Sequence, residues 1–279
     1  MNQQYSPAGF SLLPPVVKNL LIINGLFYLA TFSLGNSFDL DLSQILGLHY
    51  FGSEYFRPFQ FVSYMFLHAN FSHILFNMFA LWMFGYLLEN VWGSKRFLTY
   101  YMITGIGAAI VQMVVLWIDI SSIQAAASTY ASGPSLDSFI GFVKHYFPQY
   151  YESEGTIKTF IDQWTRSPHS GVFIEQSVDY TIQLINLQMD VPTIGASGAV
   201  YGILLAFGMM FPNMLVYVYF LFPIKAKWIV LMYGALELFS GISSNPSDNI
   251  AHFAHLGGML FGVFLIIYWK KKTDIDSFV

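Results

Sequence analysis

The stretch VPTIGASGAVYGILLAFGMM, residues 191–210, decides the fold. Its continuous apolar part runs from Ser197 to Met210, only 14 residues. At about 1.5 Å per residue this makes roughly 21 Å of helix, against a hydrocarbon core about 30 Å thick. A helix that short reaches one membrane surface and not the other. FPNM and the basic PIKAK that follow fix its inner end. Its outer end therefore starts below the outer surface, with Ser197 inside the membrane depth. DVPTIG must descend to it as non-helical backbone, which is tolerated there only where protein or a water-filled cavity surrounds it. A serine in that setting is a candidate site. Gly198 and Gly202 also form a GxxxG, the pattern of close helix packing. The stretch by itself leaves both readings open. It is not the GxSxG elbow of soluble hydrolases, because position 199 is Ala and no strand precedes the serine.

The rest of the chain supports a membrane setting. Of its 279 residues 55% are hydrophobic and only 10% charged, against roughly 25% charged in soluble domains. Six apolar runs read as helices: 16–34, 72–91, 97–118, 197–210, 227–242 and 249–269. The expected fold is an all-α membrane protein, a six-transmembrane-helix bundle whose fourth helix is short. Residues 1–15 are polar and Pro-interrupted and lack the basic start of a cleavable signal. With the N-terminus inside, eight basic residues fall on inner segments and four (Arg57, Lys144, Lys158, Arg166) on outer ones. That bias puts both termini, 1–15 and 270–279, in the cytoplasm. Cysteine is absent, which excludes thiolate metal sites and a cysteine nucleophile. A net charge of −4 gives no sign of nucleic-acid binding.

Residues 119–194 are too polar to span and form a long extracytoplasmic insertion between the third and fourth helices, with eight acids against three bases. AAASTYASGPS at its start reads as flexible. Beyond it, Phe139, Ile140, Phe142, Val143, Tyr146 and Phe147 fall on helical spacing, as do Ile157, Phe160, Ile161 and Trp164. Amphipathic helices lying on the outer membrane surface or capping the bundle are expected.

Ionisable residues inside a spanning helix are costly and point to function. NIAHFAHLGGMLFG in the last run holds His252 and His255. Ala254, Gly258 and Gly262 make a stripe of small residues that His255 borders. Docked on the Gly198/Gly202 face, the stripe would bring the His255 imidazole to Ser197, the adjacent base a serine nucleophile needs. Tyr201, four residues after Ser197, shares its face and can pack under the imidazole. No comparable acid lies on these two helices, so a Ser–His dyad is expected, with Tyr201 in place of the usual aspartate. His252, nearer the rim, reads as structural. In HILFN, His73 and Asn77 face one way and can donate hydrogen bonds to an oxyanion. Gly85, Glu89 and Gly93 in GYLLENVWG recur every fourth residue, with Glu89 read as a structural bond to loop or helix ends. Arg57 reads as an interfacial anchor or loop clamp. Metal binding by the histidines is disfavoured, since no acid or cysteine stands at ligand spacing.

Together, HILFN, GYLLENVWG, GASGAVYG and AHLGGMLFG, in this order along six helices, resemble the rhomboid family of intramembrane serine proteases. The resemblance implies that Ser197 attacks a peptide carbonyl while His255 takes its proton and delivers it to the leaving amine. It implies that His73, Asn77 and the Ser197 main-chain N–H hold the oxyanion, and that Gly195 and Gly198 let the chain turn into the site. Substrates would be single-pass membrane proteins cut near the outer end of their helix, with no cofactor. The family's Trp-Arg in the first outer loop reads Phe56-Arg57 here, and the 119–194 insertion exceeds the family's usual connection. The insertion is expected to cap the cleft or select substrates. The layout and the lack of a targeting segment point to a bacterial inner membrane. The alternatives are a non-catalytic relative that binds transmembrane helices, which should lack the serine or histidine, and a transporter, which should carry polar residues along several helices.

Overall fold

The structure is a computed structural model that describes residues 10–218, 221–243 and 250–272. Residues 1–9 of the expected N-terminal segment, Asn249 at the expected start of the last helix and residues 273–279 of the tail lie outside the described residues.

The chain is mostly helical. Helices α1 (Pro15–Phe38), α4 (Phe71–Trp92), α5 (Ser94–Ala131) and α12 (His252–Lys272) carry the four stretches, among the described residues, long and apolar enough to cross a membrane. α10 (Ser197–Met210) is shorter, and α11 (Ala226–Ser243) falls outside that set and carries Lys227 and Glu237. A two-stranded antiparallel hairpin, β1 (Leu215–Val218) and β2 (Phe222–Lys225), joins α10 to α11, a feature the apolar runs did not announce. Short helices α2 (Leu42–Leu46) and α3 (Gln60–Ser63) fold the loop after α1.

α10 is the centre of the bundle. It packs against α4, α5, α11 and α12, and nine of its 14 residues are buried. Its shortness is what lets its N-terminal end, with Ser197, sit inside the protein. The chain above it is held by the first loop: Leu48 and Thr193 exchange both main-chain hydrogen bonds at 2.9 Å, and Ser53 donates to Asp190 at 2.6 Å. The Gly195 N–H donates to the Tyr64 carbonyl at 2.9 Å. The irregular backbone is thus satisfied by protein, the condition that non-helical backbone inside a membrane would have to meet.

Glu89, buried at 2% exposure, takes the Val16 and Val17 N–H groups at 2.9 and 2.8 Å and the Ser94 hydroxyl at 2.6 Å. It caps the start of α1, where main-chain donors lack intrahelical acceptors and a negative charge is favoured. Arg57 clamps its own loop through the Glu54 and Phe56 carbonyls at 2.9 and 2.7 Å.

Residues 119–194 depart from the expectation. AAASTYA is not flexible but continues α5 to Ala131. At about 1.5 Å per residue the 38 residues of α5 reach roughly 57 Å, well past a bilayer core. Helices α6 (Leu136–Tyr146) and α8 (Thr156–Arg166) form on the expected spacing, with α7 (Pro148–Glu152) between them and α9 (Gly171–Met189), which lacks a clean apolar period, after them. Their apolar faces close on one another and on the C-terminal end of α5. This second core contains Phe139, Phe160, Trp164, Leu184, Ile123 and Tyr130.

Candidate active site

The site stands where α10, α12, α4 and α11 meet. Ser197 is the first residue of α10. Gly195 just before it has φ of +135°, a conformation side chains resist. Ala196 then stands at the N-cap without a side-chain cap bond, and Ser197 enters as the first residue of the helix. α12 approaches so closely that a Cβ on Gly258 would overlap the Gly198 carbonyl. Gly198 also meets Ala108 of α5 and the Ala254 carbonyl. The small-residue stripes dock only in part as expected. Gly202 faces Thr104 of α5, and Gly262 faces Tyr100 and Leu205. The contact is therefore a three-helix junction rather than a two-helix zipper.

That junction brings His255 Nε2 to 2.8 Å from Ser197 Oγ. The His255 ring stacks on Tyr201, with centroids 4.2 Å apart and planes 7° from parallel. His255 is buried, at 8% exposure.

His73 faces Ser197 from α4. Asn70 caps α4 by accepting the His73 N–H at 2.9 Å, which fixes His73 in the first turn. The Ala69 N–H donates to His73 Nδ1 at 3.3 Å, so the ring proton sits on Nε2. The point where a Cβ of residue 195 would stand is 3.0 Å from His73 Nε2 and 3.4 Å from Ser197 Oγ. A reacting oxygen fits there, between donor and nucleophile. Asn77, buried one turn on, donates to the His73 carbonyl at 2.9 Å. Its amide is tied to the main chain. His68 packs edge-on against His73 at 5.0 Å. Burial first, and then His73, push its imidazole down to about 4, so it stays neutral.

The expected orienting group is incomplete. Glu237 of α11, 8% exposed, enters the site from a third helix. The Tyr201 hydroxyl donates to one of its carboxylate oxygens. The other lies 2.6 Å from His252 Nδ1 and 2.9 Å from His255 Nδ1. The His255 contact is close but off the N–H axis, so it is not an aligned hydrogen bond. An acid therefore does stand at the histidines, contrary to the expectation drawn from α10 and α12 alone. His252, expected near the rim, is a partner of that acid. The signal was available: Glu237 is an acid inside an apolar run, the feature that marked the histidines.

The ligand atoms of Glu237, His252 and His255 lie within 4.8 Å of one another. The 2.6 and 2.9 Å separations are hydrogen-bond lengths. Two ligands of a tetrahedral zinc ion, each about 2.0–2.1 Å from the metal, stand about 3.3 Å apart. The cluster as it stands suits shared protons better than a metal.

Residues 55–120 and 170–272 match the Rhomboid domain family. The chain belongs to the rhomboid family. The interruption between the matched segments falls inside the stretch that forms the second core. A relative in Arabidopsis thaliana, Rhomboid-like protein 11, chloroplastic, is 31% identical over 109 residues, which is 38% of this chain and 39% of the relative. This rhomboid thus aligns with about two-fifths of that relative's length. The family includes serine intramembrane proteases.

Proposed function

We propose that this rhomboid is an intramembrane serine endopeptidase that cuts single-pass membrane proteins near the outer end of their helix. The observation that carries the reading is the 2.8 Å contact of His255 Nε2 with Ser197 Oγ at the start of a buried helix. All six apolar helices, α11 and the short α10 included, then make the membrane bundle. Both termini face the cytoplasm of a bacterial inner membrane, and the second core lies outside, where it selects substrates. The partners are transmembrane substrates and the lipid bilayer, with no cofactor.

In the proposed reaction His255 Nε2 accepts the Ser197 hydroxyl proton as Oγ bonds to the scissile carbonyl carbon. The carbonyl oxygen moves into the space beside Gly195, where the His73 Nε2–H meets it. The amides at the start of α10 have no intrahelical acceptor and add to the hole. Asn77 holds the His73 turn and offers a further donor. Collapse breaks the C–N bond, and the His255 proton passes to the leaving amine. Water, deprotonated by His255, then hydrolyses the acyl-enzyme and returns Ser197. Tyr201 keeps the imidazole plane fixed throughout.

Fluorophosphonate labelling of the purified protein in detergent tests this. The wild type should label, and S197A and H255A should not. Equal labelling of all three sinks the assignment and leaves a helix-binding relative.

A further inference from the structure

We propose that Glu237 is a positioning residue for His255, so that the pair works as Ser197–His255–Glu237 with the acid supplied by α11. This rests on the reading of Ser197 as the nucleophile.

A carboxylate in an apolar helix needs partners, and Glu237 has them on both oxygens: Tyr201 on one, and His252 at 2.6 Å and His255 at 2.9 Å on the other. Each is part of the site or touches it. Tyr201 stacks on His255, and His252 stands edge-on to His255 at 6.4 Å. Among the described residues, the groups facing the carboxylate and its imidazole partner include Tyr201 from α10, His252 and His255 from α12, Tyr233 of α11 beside Tyr201, and His73 from α4. His255 Nδ1 thus faces a negative oxygen while Nε2 faces the serine hydroxyl. That environment puts the proton of neutral His255 on Nδ1 and leaves the Nε2 lone pair for Ser197. When Nε2 takes the serine proton, the new imidazolium charge forms 2.9 Å from the carboxylate. Glu237 stays ionised, and no proton moves to it. The approach is off-axis in the resting site, and catalytic hydrogen bonds commonly tighten when substrate binds. Tyr201 and His252 hold the acid in place, which assigns a use to both.

The test uses E237Q, which keeps the shape and removes the charge, in the full-length protein. The second-order rate of fluorophosphonate labelling should fall at least 100-fold. In cleavage of a transmembrane substrate, kcat should fall and KM stay. A carboxylate favours the protonated imidazole, so the acid limb of kcat/KM against pH should move to lower pH in E237Q and return in E237D. An E237Q rate within threefold of wild type, with the limb unmoved, overturns the role of Glu237 and leaves the hydrolase reading standing. Wild type that labels no better than S197A overturns both. Nitrogen-15 spectra of histidine-labelled wild type need no folded E237Q. Neutral His255, assigned by its loss in H255Q, should carry its proton on Nδ1, and a proton on Nε2 overturns the proposal.

Discussion

Ser197 and His255 lie 58 positions apart and meet at 2.8 Å, and the residue that permits this is Gly195. Its φ of +135° is open to glycine and strained for other residues, at a cost of about 1–3 kcal/mol. A methyl there would also stand 3.0 Å from His73 Nε2, in the space proposed for the oxyanion. Gly195→Ala should lower labelling and cleavage more than 100-fold while the melting temperature in detergent falls only a few degrees. Retention of a tenth of the wild-type rate would argue against an oxyanion beside residue 195. Tyr201 could be read from the sequence because it follows Ser197 by one helical turn, and spacing within one helix is a local property. Glu237 could not be placed that way. Its relation to His255 runs through α11, α12 and the connection between them, and no spacing rule crosses a connection. What the sequence did offer was an acid in an apolar run, without the address of its partner.

At the level of elements, α10 was the clearest, because an apolar run bounded by irregular chain on one side and FPNM on the other has few other lengths open to it. Its observed bounds, Ser197–Met210, are those read from the sequence. The end of α5 was misread because Ser and Gly after an alanine tract suggest a loop, yet alanine itself favours helix. The break comes only at Ser132–Gly133–Pro134, before the Ser135 cap of α6. α9 escaped because it buries Ser177 and Thr181 along with Leu184 and Ile185, which blurs the apolar period. The docking of α12 on α10 makes the sharpest claim at this scale. A Cβ on Gly258 meets the Gly198 carbonyl, which is backbone and cannot rotate away. Gly258→Ala must push the helices apart, with a stability cost of about 1–3 kcal/mol. A displacement near 1 Å between base and nucleophile costs on the order of 100-fold in rate. Both losses should appear together, in thermal melts and in labelling. A variant that melts lower but labels at the full rate would show that the stripe serves packing alone.

For the molecule as a whole, the decisive fact is that the described residues form two cores. One contains α10 and the site, while the other holds Phe139, Phe160 and Trp164 at the C-terminal end of α5. Met189 packs against both, and the Ser53–Asp190 bond ties the chain just below the second core to the first loop. α5 also runs through both, with Ile120 in the first core and Ile123 in the second, but apart from Met189 the two cores are built from different side chains, so damage to the second core should stay there. Trp164 is fully buried, with Phe160 at 5.7 Å and Phe139 at 6.0 Å. Trp164→Ala should cost about 3–5 kcal/mol within that small core, enough to open it locally. Limited proteolysis should then cut between residues 136 and 166 within minutes, while a small fluorophosphonate labels Ser197 within twofold of the wild-type rate. If the second core selects substrates, cleavage of a transmembrane substrate by the same variant should fall or change its site even though labelling does not. Loss of labelling in step with proteolysis would mean that the two cores fold as one, and that the outer helices support the site instead of choosing what reaches it.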